Sequence, residues 1–406
     1  MIIVIFWATL ALIAYTYILF PWLILLRGLI GNRPYKSTEM EPLPDLSFII
    51  AAHNEAKTIE SKIKNLLSMD YPKKRLEVVI ASDGSNDGTD KIVEKFANRG
   101  VRLLSLPRQG KAAALNAAFA ASSGEIIIFS DANSIYDQGA LRALVRPFAD
   151  PEVGGVAGNQ RYLSENDGAT TIRGEHAYWN FDRMLKRSQS KAGNTISATG
   201  AIYAIRRILF NPIPEGVTDD FFTSTGVIVQ GYRLVFAQEA IAYEPVADSS
   251  GLEFGRKVRI MTRGLRAVMM RYQLLNPFRY GFYSLQLFSH KVLRRLVVFP
   301  LLLIFCISPL LWSQNVIYGA MFLGLLIFYI LGVLGILFKG ARFGQLKIFS
   351  FPFFFVMVNA AALVATFNIL RGHRIDRWEP QRRELGGTKV VSPFILPSSA
   401  EKKSQL

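Results

Sequence analysis

With 406 residues, half of them hydrophobic, and a formal charge of +16, the chain is long enough for one substantial catalytic domain plus a membrane region. So basic a balance suits nucleic acid or anionic lipid, and the long apolar segments favour lipid, so nucleic acid is set aside as a partner. The single cysteine, Cys306, lies in an apolar run, which excludes an intrachain disulfide and leaves zinc–thiolate or cysteine-nucleophile chemistry without support.

The first predicted element is Ile2–Leu26, almost wholly apolar and followed by Arg27, Arg33 and Lys36. It has no charged start and no small-residue cleavage site, so it reads as a retained helix with its N-terminus outside and its basic flank in the cytoplasm. From Asp45 to about Tyr272 the chain is mixed and charged. Strands are predicted at Leu46–Ala51, Leu76–Ala81, Val101–Leu104 and Ile126–Phe129. Helices are predicted from Thr58 to Leu67, from Asp87 to about Asn98, and over Lys111–Ser122. This alternation predicts an α/β domain with a mostly parallel sheet. The first strand runs into His53-Asn54-Glu55 and not into spaced glycines, which disfavours a hydride-transfer enzyme.

Carboxylates recur at the strand ends, where open α/β sheets bind ligands. Asp83 follows the second strand in Val79–Thr89, and Asp131 follows the fourth in Ile126–Asn133. Asp83 suits either a helix cap or a ribose contact. Asp131 with Asn133 offers oxygen ligands for a hard divalent cation such as Mg2+ or Mn2+. A third acidic group, Asp219-Asp220, precedes the helical run Phe221–Val229, after an apolar segment, Ala198–Arg206, that suits a wall of the site. One of this pair reads as a general base, the alternative being an N-cap.

Between Leu252 and Arg295, aromatic residues alternate with Arg and Lys in segments too short to span, which predicts helices lying in the membrane interface. Val297–Trp312, Val316–Phe338 and Ile348–Leu370 are then three apolar stretches, the first short unless Leu296 and earlier residues join it. Four crossings in total are expected. They leave the basic tail Arg371–Arg383 outside, against the charge rule, unless one stretch is re-entrant or split. The organisation expected is therefore a transmembrane helix over 1–27, a cytoplasmic catalytic domain over 44–250, interface helices over 251–295, transmembrane helices over 296–371 and a tail over 372–406. The protein is expected in the plasma (cytoplasmic) membrane.

Taken together these motifs resemble the membrane-bound, inverting family 2 glycosyltransferases with a GT-A domain, the group that includes cellulose, hyaluronan, chitin-oligosaccharide and poly-N-acetylglucosamine synthases. The resemblance implies that Ala51, His53 and Glu55 form the first nucleotide-contacting strand end and that Asp83 contacts uridine. It places Lys111 and Asn116 near the donor, gives Asp131-Ala132-Asn133 the place of the Asp-x-Asp metal motif, and makes Asp220 of Thr218-Asp219-Asp220 the base. Two positions depart from the pattern. Asn133 replaces the second metal-motif aspartate, and Arg256-Lys257-Val258-Arg259-Ile260 keeps only the arginine of Gln-x-x-Arg-Trp. The lost indole removes a sugar-stacking platform and weakens the case for a processive synthase. Arg256, Arg259 and Arg263 are expected near the leaving diphosphate.

The activity implied is β-linked transfer of a hexose or N-acetylhexosamine from a UDP-sugar to a lipid-linked or glycan acceptor in envelope polysaccharide synthesis. The expected partners are the nucleotide sugar, this acceptor, membrane lipid and polysaccharide-assembly proteins. A processive synthase is the alternative within the class. A non-catalytic scaffold and a transporter are the alternatives outside it; the intact carboxylates argue against the first, and the large α/β domain against the second.

Overall fold

The computed structural model describes residues 1–163, 170–245, 250–338 and 346–373. Eight strands form one sheet: β1 Leu46–Ala52, β2 Leu76–Asp83, β3 Val101–Leu106, β4 Ile126–Phe129, β5 Ile135–Tyr136, β6 Val153–Leu163, β7 Tyr203–Arg206 and β8 Arg233–Pro245. Their order is β3-β2-β1-β4-β7-β6-β8-β5. β1 pairs in parallel with both β2 and β4, and β2 with β3. β7 is antiparallel to β4 and β6, so it marks where the parallel half of the sheet gives way to a mixed half.

The strand order reverses between β1 and β4. The chain leaves β1 on one side to build β2 and β3, then returns to the other side for β4. Segments leaving the carboxyl ends of these two strands flank a crevice, which is where open α/β sheets hold their ligands. Ala51 to Glu55 and Ser130 to Asn133 are those segments. β1 and β4 are buried on both faces, as their unbroken apolar sequences require. One core layer packs Ile59, Ile63 and Leu66 of the helix Ile59–Leu67 beneath the sheet; the other packs the alanine-rich helix Lys111–Ala120 and the helix Asp219–Val229 above it.

The predicted strands all form, β2 and β3 running two residues further than expected. The helix expected to reach Asn98 ends at Glu94 and is followed by a 3-10 turn, Ala97–Arg99. The N-terminal helix runs over Ile2–Ile30, three residues past the expected boundary, and contains a π-helical turn at Tyr15–Leu19.

Over 251–295 the chain forms a series of helices. A 21-residue helix, Ser250–Met270, packs along Lys347–Leu370. After it, Phe282–Leu296 and Val298–Leu311 meet at a 50° bend and together are apolar and long enough to cross a membrane. The short stretch beginning at Val297 is thus lengthened by residues assigned from sequence to the interface. Among the described residues, three helices are long and apolar enough to span, or four when this bent pair is counted as one span. Phe6, near the start of the chain, packs with Ile304, Leu311 and Tyr318, whereas Phe20 and Ile24 pack with Leu185 of the helix Thr170–Ala192. The turn after Leu311 therefore sits at the end of the first helix remote from the sheet.

Candidate active site

The first turn of the site is built on Asp83. Its buried carboxylate accepts from the N–H groups of Gln109 (2.7 Å) and Gly110 (2.9 Å) and from Arg108 Nη1. Asp83 thus fixes the loop that delivers Lys111. Gly84, at φ +64°, allows this packing: a Cβ there would lie 2.9 Å from the Arg108 backbone nitrogen. His53 Nδ1 is 2.7 Å from the Asp83 carbonyl, tying the end of β1 to the end of β2. Ala51 is buried at the end of β1. Glu55 is also buried; its carboxylate accepts from Thr58 Oγ1 at 2.6 Å, and its N–H donates to Thr89 Oγ1 at 2.9 Å.

Lys111 opens the helix Lys111–Ala120, and its ammonium reaches Asp131 Oδ1 at 2.8 Å and Asp219 Oδ2 at 3.0 Å. Burial opposes charge on this lysine, but the two carboxylates outweigh it and hold its pKa above the ordinary lysine value. Three motifs far apart in sequence therefore converge on one cation. Asn116 on the same helix exchanges hydrogen bonds with Ile213 (2.8 and 3.0 Å), securing the segment that leads into Asp219.

Thr218 is the N-cap of the helix Asp219–Val229, so both aspartates lie in its first turn, where the helix dipole favours negative charge. This corrects the N-cap alternative. Asp219 faces Lys111. Asp220 turns the other way: its Oδ1 accepts from Phe221 N–H at 2.7 Å, and it lines a cavity of about 720 Å³ shared with the membrane-side helices. Burial first, and then the neighbouring Asp219 charge, push Asp220 up to about 6, while Lys111 pulls the other way. A half-buried carboxylate poised near neutrality suits a general base.

Asp131 Oδ2 lies against Gly200. A Cβ at that position would sit 2.7 Å from it, so the glycine keeps this face of the carboxylate open. Asn133 is half-buried two residues on. Among the described residues, no cluster of three His, Cys, Asp or Glu side chains is arranged to hold a metal. Arg256 lines the same cavity as Asp220. Arg259 and Arg263 lie on the same helix and do not line it; burial first, then the charges of Arg263 and Arg256, lower the Arg259 pKa.

Three contributors escaped the sequence reading. Lys62 is fully buried beneath the β4 end, donating to Ser130 Oγ (2.7 Å) and to the Ser134 carbonyl (2.8 Å) and hydroxyl (3.0 Å). Burial lowers its pKa to about 7. Its signal was available: a lysine on the apolar face marked by Ile59, Ile63 and Leu66. Glu244, at the end of β8, accepts from Gln160 Nε2, and burial first, then Asp131, raise it to about 8. Gly200 was visible only as part of an apolar segment.

Comparisons with known proteins bear on this arrangement. Residues 47–213 match the family model for glycosyl transferase family 2. The chain is similar to poly-beta-1,6-N-acetyl-D-glucosamine synthase of Staphylococcus aureus, 29% identical over 239 residues, covering 57% of each chain. The corresponding Staphylococcus epidermidis synthase is 27% identical over 241 residues, covering 58% of each. The match thus spans somewhat over half the length of these relatives. Among solved structures, a mannosyltransferase from Pyrobaculum calidifontis in complex with GDP-Man and Mn2+ is similar over 91% of this chain and 99% of its own, with a TM-score of 0.68 and 22% identity. Residues 47–213 thus match the glycosyl transferase family 2 model, and the fold, carried between long apolar helices, is similar to that of this mannosyltransferase.

Proposed function

We propose that the protein is an inverting membrane glycosyltransferase, moving a hexose or N-acetylhexosamine from a UDP-sugar to a lipid-linked or glycan acceptor with β linkage. One observation carries this reading. Lys111 joins Asp131 and Asp219 on the donor side, while the adjacent Asp220 faces a cavity that opens among membrane-side helices.

In this reading the acceptor hydroxyl lies in the cavity beside Asp220, which takes its proton as the oxygen attacks the anomeric carbon from the face opposite the nucleotide. The bond from that carbon to the diphosphate breaks, and the nucleoside diphosphate departs with the electron pair. Inversion of an α-linked donor yields a β-linked product. Lys111 and the Arg256–Arg263 stretch supply positive charge for the leaving group, so no acid is needed. Asp219 holds Lys111 in place.

For a divalent cation the donor set fits a hard ion that takes one or two protein oxygens and completes its shell with substrate phosphates. Asp131 and the Asn133 side-chain oxygen would hold it, with Gly200 leaving the needed space. When bound, such an ion supplies charge neutralisation to the diphosphate.

The setting supports a plasma-membrane protein with a cytoplasmic catalytic domain. The contact of Phe6 with Leu311 and Tyr318 supports reading the bent pair as a crossing, for four spans in all. Similarity to poly-beta-1,6-N-acetyl-D-glucosamine synthases supports a place in envelope polysaccharide synthesis, and polysaccharide-assembly proteins would then be partners.

The test is to incubate membranes containing the protein with radiolabelled UDP- and GDP-sugars, Mg2+ or Mn2+ and lipid extract, and to size the product. A discrete lipid-soluble product supports single addition. A high-mass ladder supports a processive synthase. Absence of labelled product with every donor contradicts the reading.

A further inference from the structure

Lys62 has no part in the mechanism above, yet it ranks among the largest fully buried side chains of the molecule. A methionine on the same face of the helix Ile59–Leu67 would fill similar space without the cost of burying an amine. The amine is set apart by what it holds. It donates to Ser130 Oγ at 2.7 Å, and to the Ser134 carbonyl and hydroxyl at 2.8 and 3.0 Å. These two serines bracket Asp131-Ala132-Asn133, so one side chain closes both ends of the turn that carries the cation donors.

The same nitrogen lies 4.1 Å from the centre of the Tyr136 ring. One turn further along the helix, Asn65 exchanges two hydrogen bonds with the Tyr136 backbone, at 2.7 and 2.9 Å. One helix face thus grips the chain from Ser130 to Tyr136. The grip reaches the other side of Asp131 as well. The hydroxyls of Ser130, Ser134 and Tyr136 converge on the Ala201 carbonyl at 3.1 to 3.2 Å. Ala201 follows Gly200, the residue against which the Asp131 carboxylate lies. This buried network therefore sets the spacing of Asp131 and Gly200 together with the shape of the turn. A cation held by only two protein oxygens depends on both, because a site loosened by about 1 Å loses its geometry.

We propose that Lys62 is a positioning residue for the divalent-cation site, locking the Ser130–Ser134 turn so that the Asp131 carboxylate and the Asn133 side-chain oxygen serve one ion. The inference rests on the assignment of a cation to Asp131 and Asn133, and adds the residue that holds that pair in place through the two serines. Charge alone would act the other way, since an ammonium repels a cation. Burial lowers the Lys62 pKa to about 7, so at about pH 8 the amine is largely neutral and its hydrogen bonds outweigh that repulsion.

The test measures Mn2+ binding by electron paramagnetic resonance at that pH, with full-length protein in phosphatidylcholine nanodiscs and UDP present. UDP affinity in EDTA is measured beside it. Lys62→Met should raise the Mn2+ concentration for half-saturation about tenfold or more, the usual effect of losing a residue that orients metal ligands, and leave UDP affinity in EDTA unchanged within about threefold. Ser134→Ala should raise it by a smaller factor, and the double variant should fall short of the product of the two effects, as for groups acting through one contact. Unchanged Mn2+ binding in Lys62→Met would overturn the proposal. Tighter binding would make the amine a repelling charge, a parallel loss of UDP affinity in EDTA would make it a general packing residue, and a full product in the double variant would separate it from Ser134; each also overturns it. If Lys62→Met does not fold, Ser134→Ala decides alone, and a wild-type Mn2+ curve in that variant overturns the proposal. Asp131→Ala separates this claim from the one beneath it. Mn2+ binding that survives Asp131→Ala, or that is missing from wild type, sinks the cation assignment, whereas loss in Asp131→Ala with no change in Lys62→Met sinks the Lys62 role alone.

Discussion

Lys111 donates to Asp219 across 3.0 Å, joining the first turn of the helix Lys111–Ala120 to the first turn of Asp219–Val229. The same ammonium holds Asp131, so its loss would leave two mostly buried carboxylates facing each other. Lys111→Met is expected to lower stability by about 1–3 kcal/mol, the cost of leaving buried polar groups unpaired. It should also reduce transfer at least a hundredfold. Urea unfolding and a product assay check both; unchanged transfer would remove Lys111 from the site.

Asp220 is pushed up to about 6, and a base works only when deprotonated. The rate at low acceptor should therefore fall about tenfold per pH unit below about 6 and level off above it. Asp219 is one cause of the upward shift, so Asp219→Asn should move this acid limb to lower pH. A limb that stays put in the variant would mean that another group titrates.

Much of the scaffold was legible because β1 to β4 are short, β-branched and bounded by turn residues, so their apolar runs could form little else. The carboxylates at the strand ends were legible for the same reason: position after a buried strand is a sequence property. Roles that depend on long-range meeting were not. Nothing near Asp83 in sequence tells that its carboxylate holds residues 108–110, and nothing around Val297 tells that the helix before it joins at a bend to make spanning length. Lys291 stands in sequence among several Arg and Lys residues, and its closeness to the Phe221 ring exists only in three dimensions.

Lys62 makes a second pH-dependent contribution. Burial lowers its folded-state pKa to about 7, so between pH 7 and the ordinary lysine value the unfolded chain binds the extra proton and the folded chain does not. Stability from this site therefore rises with pH in that window. Relative to Lys62→Met, wild type should gain about 1–3 kcal/mol between pH 7 and pH 10. Denaturant midpoints at the two pH values measure it, and a constant gap would contradict the burial argument.

Gly200 leaves the Asp131 carboxylate its space. Gly200→Ala should keep the fold, because the clash at 2.7 Å is with the end of a side chain, yet cost transfer at least tenfold by turning Asp131 aside. Asn133→Asp, by adding charge to the same turn, should lower the Mn2+ concentration for half-maximal transfer severalfold. Metal titrations of both variants test the assignment, and identical titration curves for Asn133→Asp and wild type would exclude residue 133 from cation binding.

The packing of Phe6 on Leu311 and Tyr318 predicts that Gln314 lies on the same side of the membrane as the N-terminus. In a Cys306→Ser background, Gln314→Cys should react with a membrane-impermeant maleimide applied to intact cells. Labelling only after lysis would make the bent pair re-entrant.

The most direct measurement is sugar transfer by Asp220→Asn beside its affinity for UDP, in the same membrane preparation. The account predicts that transfer falls about 10²–10⁴-fold, the usual contribution of a positioned base, with UDP affinity unchanged within a factor of about three. Transfer that survives the substitution would contradict Asp220 as the base, and with it the cavity as the place where the acceptor reacts.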